Sequence, residues 1–184
     1  RFKSNRGRGG VVENIWFNDI LMTDIPTQAI SFNLYYSGLS VSEMLAEGRN
    51  AEATAVDIPP VTEETPCFRN IFMKNITCRG AEQAIFLQGL PELNLENVVL
   101  ENVDITAVEG MARIDAKGVK VRNMRLVTGK KPLIFILNSS DVDITGLKIE
   151  AETDSLIEVR GNNSAGITVE TITGEGEVSS RKLR

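Results

Sequence analysis

Asn70-Ile71-Phe72-Met73-Lys74-Asn75-Ile76 decides the fold, because its pattern recurs along the chain. It is found at Asn14-Ile15-Trp16-Phe17-Asn18-Asp19-Ile20 and at Asn97-Val98-Val99-Leu100-Glu101-Asn102-Val103. Weaker copies begin at Asn123-Met124-Arg125-Leu126, Gly146-Leu147-Lys148-Ile149 and Thr171-Ile172-Thr173. From Asn70 the steps are 27, 26, 23 and 25 residues, and the step from Asn14 to Asn70 is 56. A fixed period of this length is the mark of a repeat architecture.

Within each copy the apolar residues alternate: Ile15 and Phe17, Ile71 and Met73, Val98 and Leu100, Met124 and Leu126, Leu147 and Ile149. Period two means strand. A second set follows a bend at Ile20 and Met22, Ile76 and Cys78, Val103 and Ile105. A third lies at Ala29 to Phe32, Ala84 to Leu87, Met111 to Ile114, Leu133 to Ile136 and Leu156 to Val159. Such a unit cannot bury its apolar edge alone, but stacked on copies of itself it encloses one continuous core. Leucine-rich repeats need fixed leucines and a helical arm. A doubly wound sheet needs helical patterns between its strands. Neither is present, so the expected fold is all-β, a right-handed parallel β-helix of about six coils. It forms a single domain over residues 1–184.

Asn14, Asn70, Asn97 and Asn123 share one repeat position, and Asp19, Asn75 and Asn102 share another. Asn and Asp tolerate the left-handed conformation of a tight bend. Stacked amides can also bond one another as a ladder. Asn75-Ile76-Thr77, Asn138-Ser139-Ser140 and Asn162-Asn163-Ser164 match the glycosylation acceptor pattern. The tracking of Asn with the repeat favours a structural ladder. Met124 to Ile134 and Leu147 to Ile157 each span ten residues against fourteen from Ile71 to Ile85, so the stack is expected to taper. The polar tail from Gly174 to Arg184 is expected to cap the stack or fray.

The 56-residue step holds an inserted loop at about 37–66, rich in Glu and Asp, with a two-turn helix expected at Ser42 to Arg49. Insertions in solenoids often fall on the binding face. A solvated loop or subunit contact is the equal alternative.

The chain has 184 residues, 42% of them hydrophobic, which suffices for a full core. A formal net charge of -5 argues against nucleic acid as partner. No apolar run is long enough to span a membrane. Cys67 and Cys78 lie too far apart along an extended segment to bridge, and are expected to be free and partly buried. The chain holds no histidine, which removes Ser-His and Cys-His catalysis and His-ligated metal. No metal or cofactor site is expected.

Positive charge is clustered at Arg1, Lys3, Arg6 and Arg8, a stretch with no acid. Alternate strand residues share a face, so Arg1 and Lys3 project together. A guanidinium can grip a carboxylate with two bonds, and an ammonium beside it adds a point charge. The partner chemistry this suggests is an acidic polysaccharide.

Arg1-Phe2-Lys3, the glycine-rich turn and Val12-Glu13-Asn14-Ile15-Trp16-Phe17 together resemble glycoside hydrolase family 28, the polygalacturonases and related pectin hydrolases. The Tyr36 that follows 33 residues after Lys3, and the later Asn-Ile repeats, extend the likeness over essentially the whole chain. The resemblance implies that Arg1 and Lys3 bind the substrate carboxylate. Tyr36 would add an aromatic contact, although one of Tyr35 and Tyr36 must face inward. It implies an oligogalacturonide partner and an extracellular or periplasmic setting. The family's catalytic Asn-Thr-Asp, Asp-Asp and Gly-His-Gly segments are not in this sequence. Inverting hydrolysis needs two carboxyl groups in defined places. Asp19, Asp24 and Asp115 are expected at turns or outer faces, and no catalytic residue is assigned. The chain is therefore expected to be the C-terminal part of such an enzyme, inactive alone, with an open N-terminal end prone to self-association. Two alternatives stay open. One is a β-helix without chemistry that grips acidic glycan or serves a structural role. The other is a Ca²⁺-dependent pectate-type lyase, for which Asp141 and Asp143 are the nearest thing to an acidic cluster.

Overall fold

The computed structural model describes residues 1–35, 58–148, 156–172 and 178–183. The expected helix at Ser42 to Arg49 lies outside them, as does Tyr36. The described residues are all-β, with eleven strands in one large sheet. Strand β1 (Phe2–Lys3) pairs with the end of β2 (Val11–Asn33), and β2 pairs with β3 (Cys67–Gln88). Beyond β3 the pairing divides into two lines. One runs through β4 (Leu95–Ala107), β6 (Ala116–Thr128), β8 (Ser140–Lys148) and β10 (Ala165–Ile172). The other runs through β5 (Glu109–Ile114), β7 (Ile134–Leu137) and β9 (Ile157–Arg160). All these pairings are parallel. Only β11 (Val178–Leu183) returns antiparallel, on β10, so this part of the tail caps the last edge.

The long strands are bent at fixed points. Every described non-glycine residue with positive φ is Asn or Asp, and these fall into columns across the pairing. The first column is Asn14, Asn70 and Asn97, continued by Gly118, Asp141 and Gly166. The second is Asp19, Asn75, Asn102 and Asn123, then Gly146. Asp24 and Gly80 make a third, and Asp115, Asn138 and Gly161 a fourth. A left-handed residue reverses the pleat and turns the chain. Only Gly, Asn and Asp take that conformation at low cost.

The expected amide ladders form. Asn70 donates to Asn14 at 3.1 Å and Asn97 to Asn70 at 2.8 Å. Asn75 donates to Asp19 at 2.8 Å and Asn102 to Asn75 at 3.0 Å. Asn123, however, donates to Asn102 at 3.0 Å and so belongs to the second ladder, not the first. Met124 and Leu126 accordingly lie beside Val103 and Ile105, and the inward pair that follows Val98 and Leu100 is Val119 and Val121. Gly118, which carries no side-chain signal, holds the corner given to Asn123 by its sequence. The expected taper disappears with this correction. Ile71 to Ile85, Val98 to Met111, Val119 to Ile134 and Val142 to Ile157 are nearly equal arcs between corresponding ladder positions.

The inward rows are apolar and buried: Ile71, Val98, Val119, Val142 and Ile167 form one, and Ile76, Val103, Met124 and Leu147 another. The corresponding β2 residues Ile15, Phe17, Ile20 and Met22 are only half-buried, because most of the outer edge of β2 has no described strand beside it. Cys67 and Cys78 are free and buried, and burial raises both thiols above their ordinary range.

Candidate functional site

The row that begins at β1 positions the basic terminus. Phe2 lies opposite Phe32 and Lys3 opposite Asn33. The Phe2 ring stacks on Phe32 with centroids 4.9 Å apart and meets Phe17 and Phe68 edge-on at 5.6 and 6.2 Å. Each such ring pair adds about 1 kcal/mol beyond burial. With Phe2 turned inward, Arg1 and Lys3 are turned outward together, and both are exposed.

The Gly-rich turn is held from two sides. The amides of Gly7 and Gly9 donate to the carbonyl of Glu64, at 3.0 and 2.9 Å. Gly9 has φ +58, and a Cβ there would sit 2.1 Å from the Glu63 carbonyl oxygen, so only glycine fits. The end of the inserted loop, over Thr62 to Thr65, thus supports the basic terminus. On the other side, Arg6 forks onto both carboxylate oxygens of Glu92, at 2.5 and 2.7 Å, and donates to the Tyr35 hydroxyl at 3.2 Å. Its guanidinium carbon is 4.7 Å from the centre of the Tyr35 ring. The bonds to Glu92 raise the Arg6 guanidinium above its ordinary range.

Arg6 therefore cannot be counted with the cations that face a ligand. The sequence groups it with Arg1, Lys3 and Arg8, but its charge is matched by Glu92, 86 residues away, whose side chain is 3% exposed. Glu92 comes from the Gly89-Leu90-Pro91 loop, a break in the repeat whose only sequence signal is the proline-containing turn.

Asp115 lies at a turn, one of the two places expected for it, but it is buried. Its φ is 48 and it is 3% exposed. Burial, and after it the charge of Glu92, raises its carboxyl to about 7 against the opposing effect of Arg6. Gln88 is fully buried in the row between Asn33 and Ile114, and both its amide atoms lack a partner among the described residues. A third buried polar group, Arg113, sits in the inward row between Leu87 and Ile136. One of its nitrogens donates to the carbonyls of Ala116 and Ser140, at 2.8 and 3.0 Å. Burial lowers this guanidinium to about 9, so it keeps its charge at neutral pH.

Chemically, the arrangement has two exposed cations either side of Phe2, and separately a clamped arginine with a buried, protonatable carboxyl in its field. No group of His, Cys, Asp and Glu suited to hold a metal occurs among the described residues. No helix among them is long and apolar enough to cross a membrane. No family model, no curated protein and no solved structure matches the chain.

Proposed function

We propose that the chain is a right-handed parallel β-helix that binds uronic-acid polysaccharide of the pectin type, as the C-terminal part of a polygalacturonase-like glycoside hydrolase. The carrying observation is the inward anchoring of Phe2, which leaves Arg1 and Lys3 projecting together from one strand into solvent. Two cations so placed match a sugar carboxylate, with Arg1 forming paired bonds and Lys3 adding charge. The handedness and the hydrolase assignment rest on the likeness of Arg1-Phe2-Lys3 and the Asn-Ile repeats to that family. In this reading the two carboxyl groups of inverting hydrolysis come from polypeptide outside the sequence, and the setting is extracellular or periplasmic.

A second reading is a β-helix that grips acidic glycan without chemistry. It is favoured by the state of two carboxyl groups beside Arg6: Glu92 is forked by it, and Asp115 is buried. Both readings share the binding step, which calorimetry with oligogalacturonides tests. Binding is expected to weaken as salt rises, because exposed charges are screened. It is also expected to fall with Arg1→Ala and Lys3→Ala. Equal binding of a neutral glucan overturns it.

A further inference from the structure

Among the described residues Arg113 is the one cationic side chain with no exposure at all. It stands on β5 in the inward row, where its neighbours on β3 and β7 are Leu87 and Ile136. A guanidinium carries five N–H groups and no acceptor. Two of them, both on Nη2, are used on the carbonyls of Ala116 and Ser140, at 2.8 and 3.0 Å. The rest belong to Nε and Nη1, which are buried and have no partner among the described residues. The one described acid whose charge acts on the group is Asp141, which is exposed at a corner and makes no bond to it. Carbonyl dipoles ease the burial of a cation but do not cancel its charge. A buried charge without a counter-charge is among the costliest arrangements a core can hold.

We infer that Arg113 holds a halide ion in the core, chloride in ordinary saline, which accepts from the N–H groups that the carbonyls leave over. The inference is independent of the reading of Arg1 and Lys3. The occupant follows from enclosure and chemistry. The guanidinium is wholly covered, so a carboxylate or phosphate borne on a larger molecule has no path for the rest of that molecule. The ion must also give up its own water. That cost rises with charge density, which favours chloride and bromide over fluoride and sulfate. A water molecule accepts a bond and leaves the charge unmatched. Burial lowers the guanidinium to about 9, so it is cationic at neutral pH and keeps its need for an anion. Ala116 lies on β6 and Ser140 on β8, so the ion and the two carbonyls together tie three strands of the stack to one cation.

An enclosed ion enters as the chain folds, so the unfolding equilibrium reads it. The test is thermal unfolding of the full chain at constant ionic strength in sodium chloride, bromide, fluoride and sulfate, for wild type and Arg113→Met. Salt acting on the whole surface stabilises more in sulfate than in chloride. A halide site reverses that order in the wild type. Above the dissociation constant, each tenfold rise in chloride or bromide makes unfolding tenfold less favourable, about 4 °C in melting temperature for a chain of this size. Met supplies similar volume without charge, and such replacements of buried ions are tolerated. The variant is expected to fold and to follow the general order, with no gain specific to halide. Crystals grown in bromide are expected to show an anomalous peak against the Arg113 guanidinium. The same anion order in wild type and variant overturns the site, as does a bromide crystal with no peak there. Should Arg113→Met fail to fold, the wild type decides alone: a melting temperature lower in chloride and bromide than in fluoride and sulfate overturns the inference.

Discussion

Replacing Asp115 by Asn tests whether a buried carboxyl beside the basic terminus is held protonated by the fold. Burial raises Asp115 from 3.8 to about 7. An acid with a raised native value binds its proton more tightly folded than unfolded. Below pH 4 both states are protonated, and the group costs nothing through ionisation. Between pH 4 and 7 the unfolded chain has lost a proton that the native state keeps, so stability falls as pH rises through this window. Above pH 7 the loss is complete. At about 1.4 kcal/mol per unit, the difference sets a ceiling of roughly 4 kcal/mol. That is a large part of the total stability of a typical domain. Asn has the same shape, tolerates φ 48 and carries no charge at any pH. Urea unfolding followed by circular dichroism, for wild type and Asp115→Asn from pH 4.5 to 8.5, isolates the effect, because other groups cancel in the difference. The variant is expected to gain relative to wild type as pH rises, by up to about 4 kcal/mol above pH 7. A difference that stays flat across the window refutes the assignment of a raised carboxyl to Asp115.

Two further outcomes follow from the same geometry. Asn102 both donates to Asn75 and accepts from Asn123 while sitting at φ 55, so Asn102→Ala is expected to cost about 2 kcal/mol by adding left-handed strain to two lost bonds. Asn102→Gly keeps the conformation and should cost less; thermal melts that rank the two variants the other way would count against the corner columns. Glu92→Gln leaves Arg6 with a neutral partner at a site where the carboxylate is 3% exposed. A loss of about 3 kcal/mol is expected in denaturant unfolding, and an unchanged midpoint would show that the fork contributes nothing.

The strands and their inward faces were legible because burial leaves period two in the sequence. Ile71 and Met73, Val98 and Leu100, and Ile76 and Cys78 could be read as core residues, and they are. The corners were legible only where Asn or Asp marks them. Gly118 and Gly146 do the same conformational work without an amide, so the repeat frame slipped at Asn123 and the stack seemed to taper. The candidate site was less legible still. Arg1 and Lys3 could be placed on one face from their spacing. The fork between Arg6 and Glu92 joins residues 86 apart, and no local pattern reports it. Asp115 reads as a turn residue because it is one. Its burial depends on neighbours that the chain brings back later.

The corner columns explain why outward residues escape the periodic reading. Once Asn, Asp and Gly fix the bends, and the inward rows fill the core, an outward position such as Phe86, Ala112 or Phe135 is free of both demands. Any residue type fits there without changing the register. The inward rows lack this freedom, and the exception shows the cost of departing from them. Arg113 stands where Leu87 and Ile136 stand, and two of its nitrogens have no partner among the described residues. Its remaining bonds reach the Ala116 and Ser140 carbonyls on two successive strands, which ties neighbouring units together through a cation in an otherwise apolar row. Where the fold places a charge inward, it demands backbone partners. Where it places one outward, as at Arg160, a carboxylate two residues away, Glu158, is partner enough.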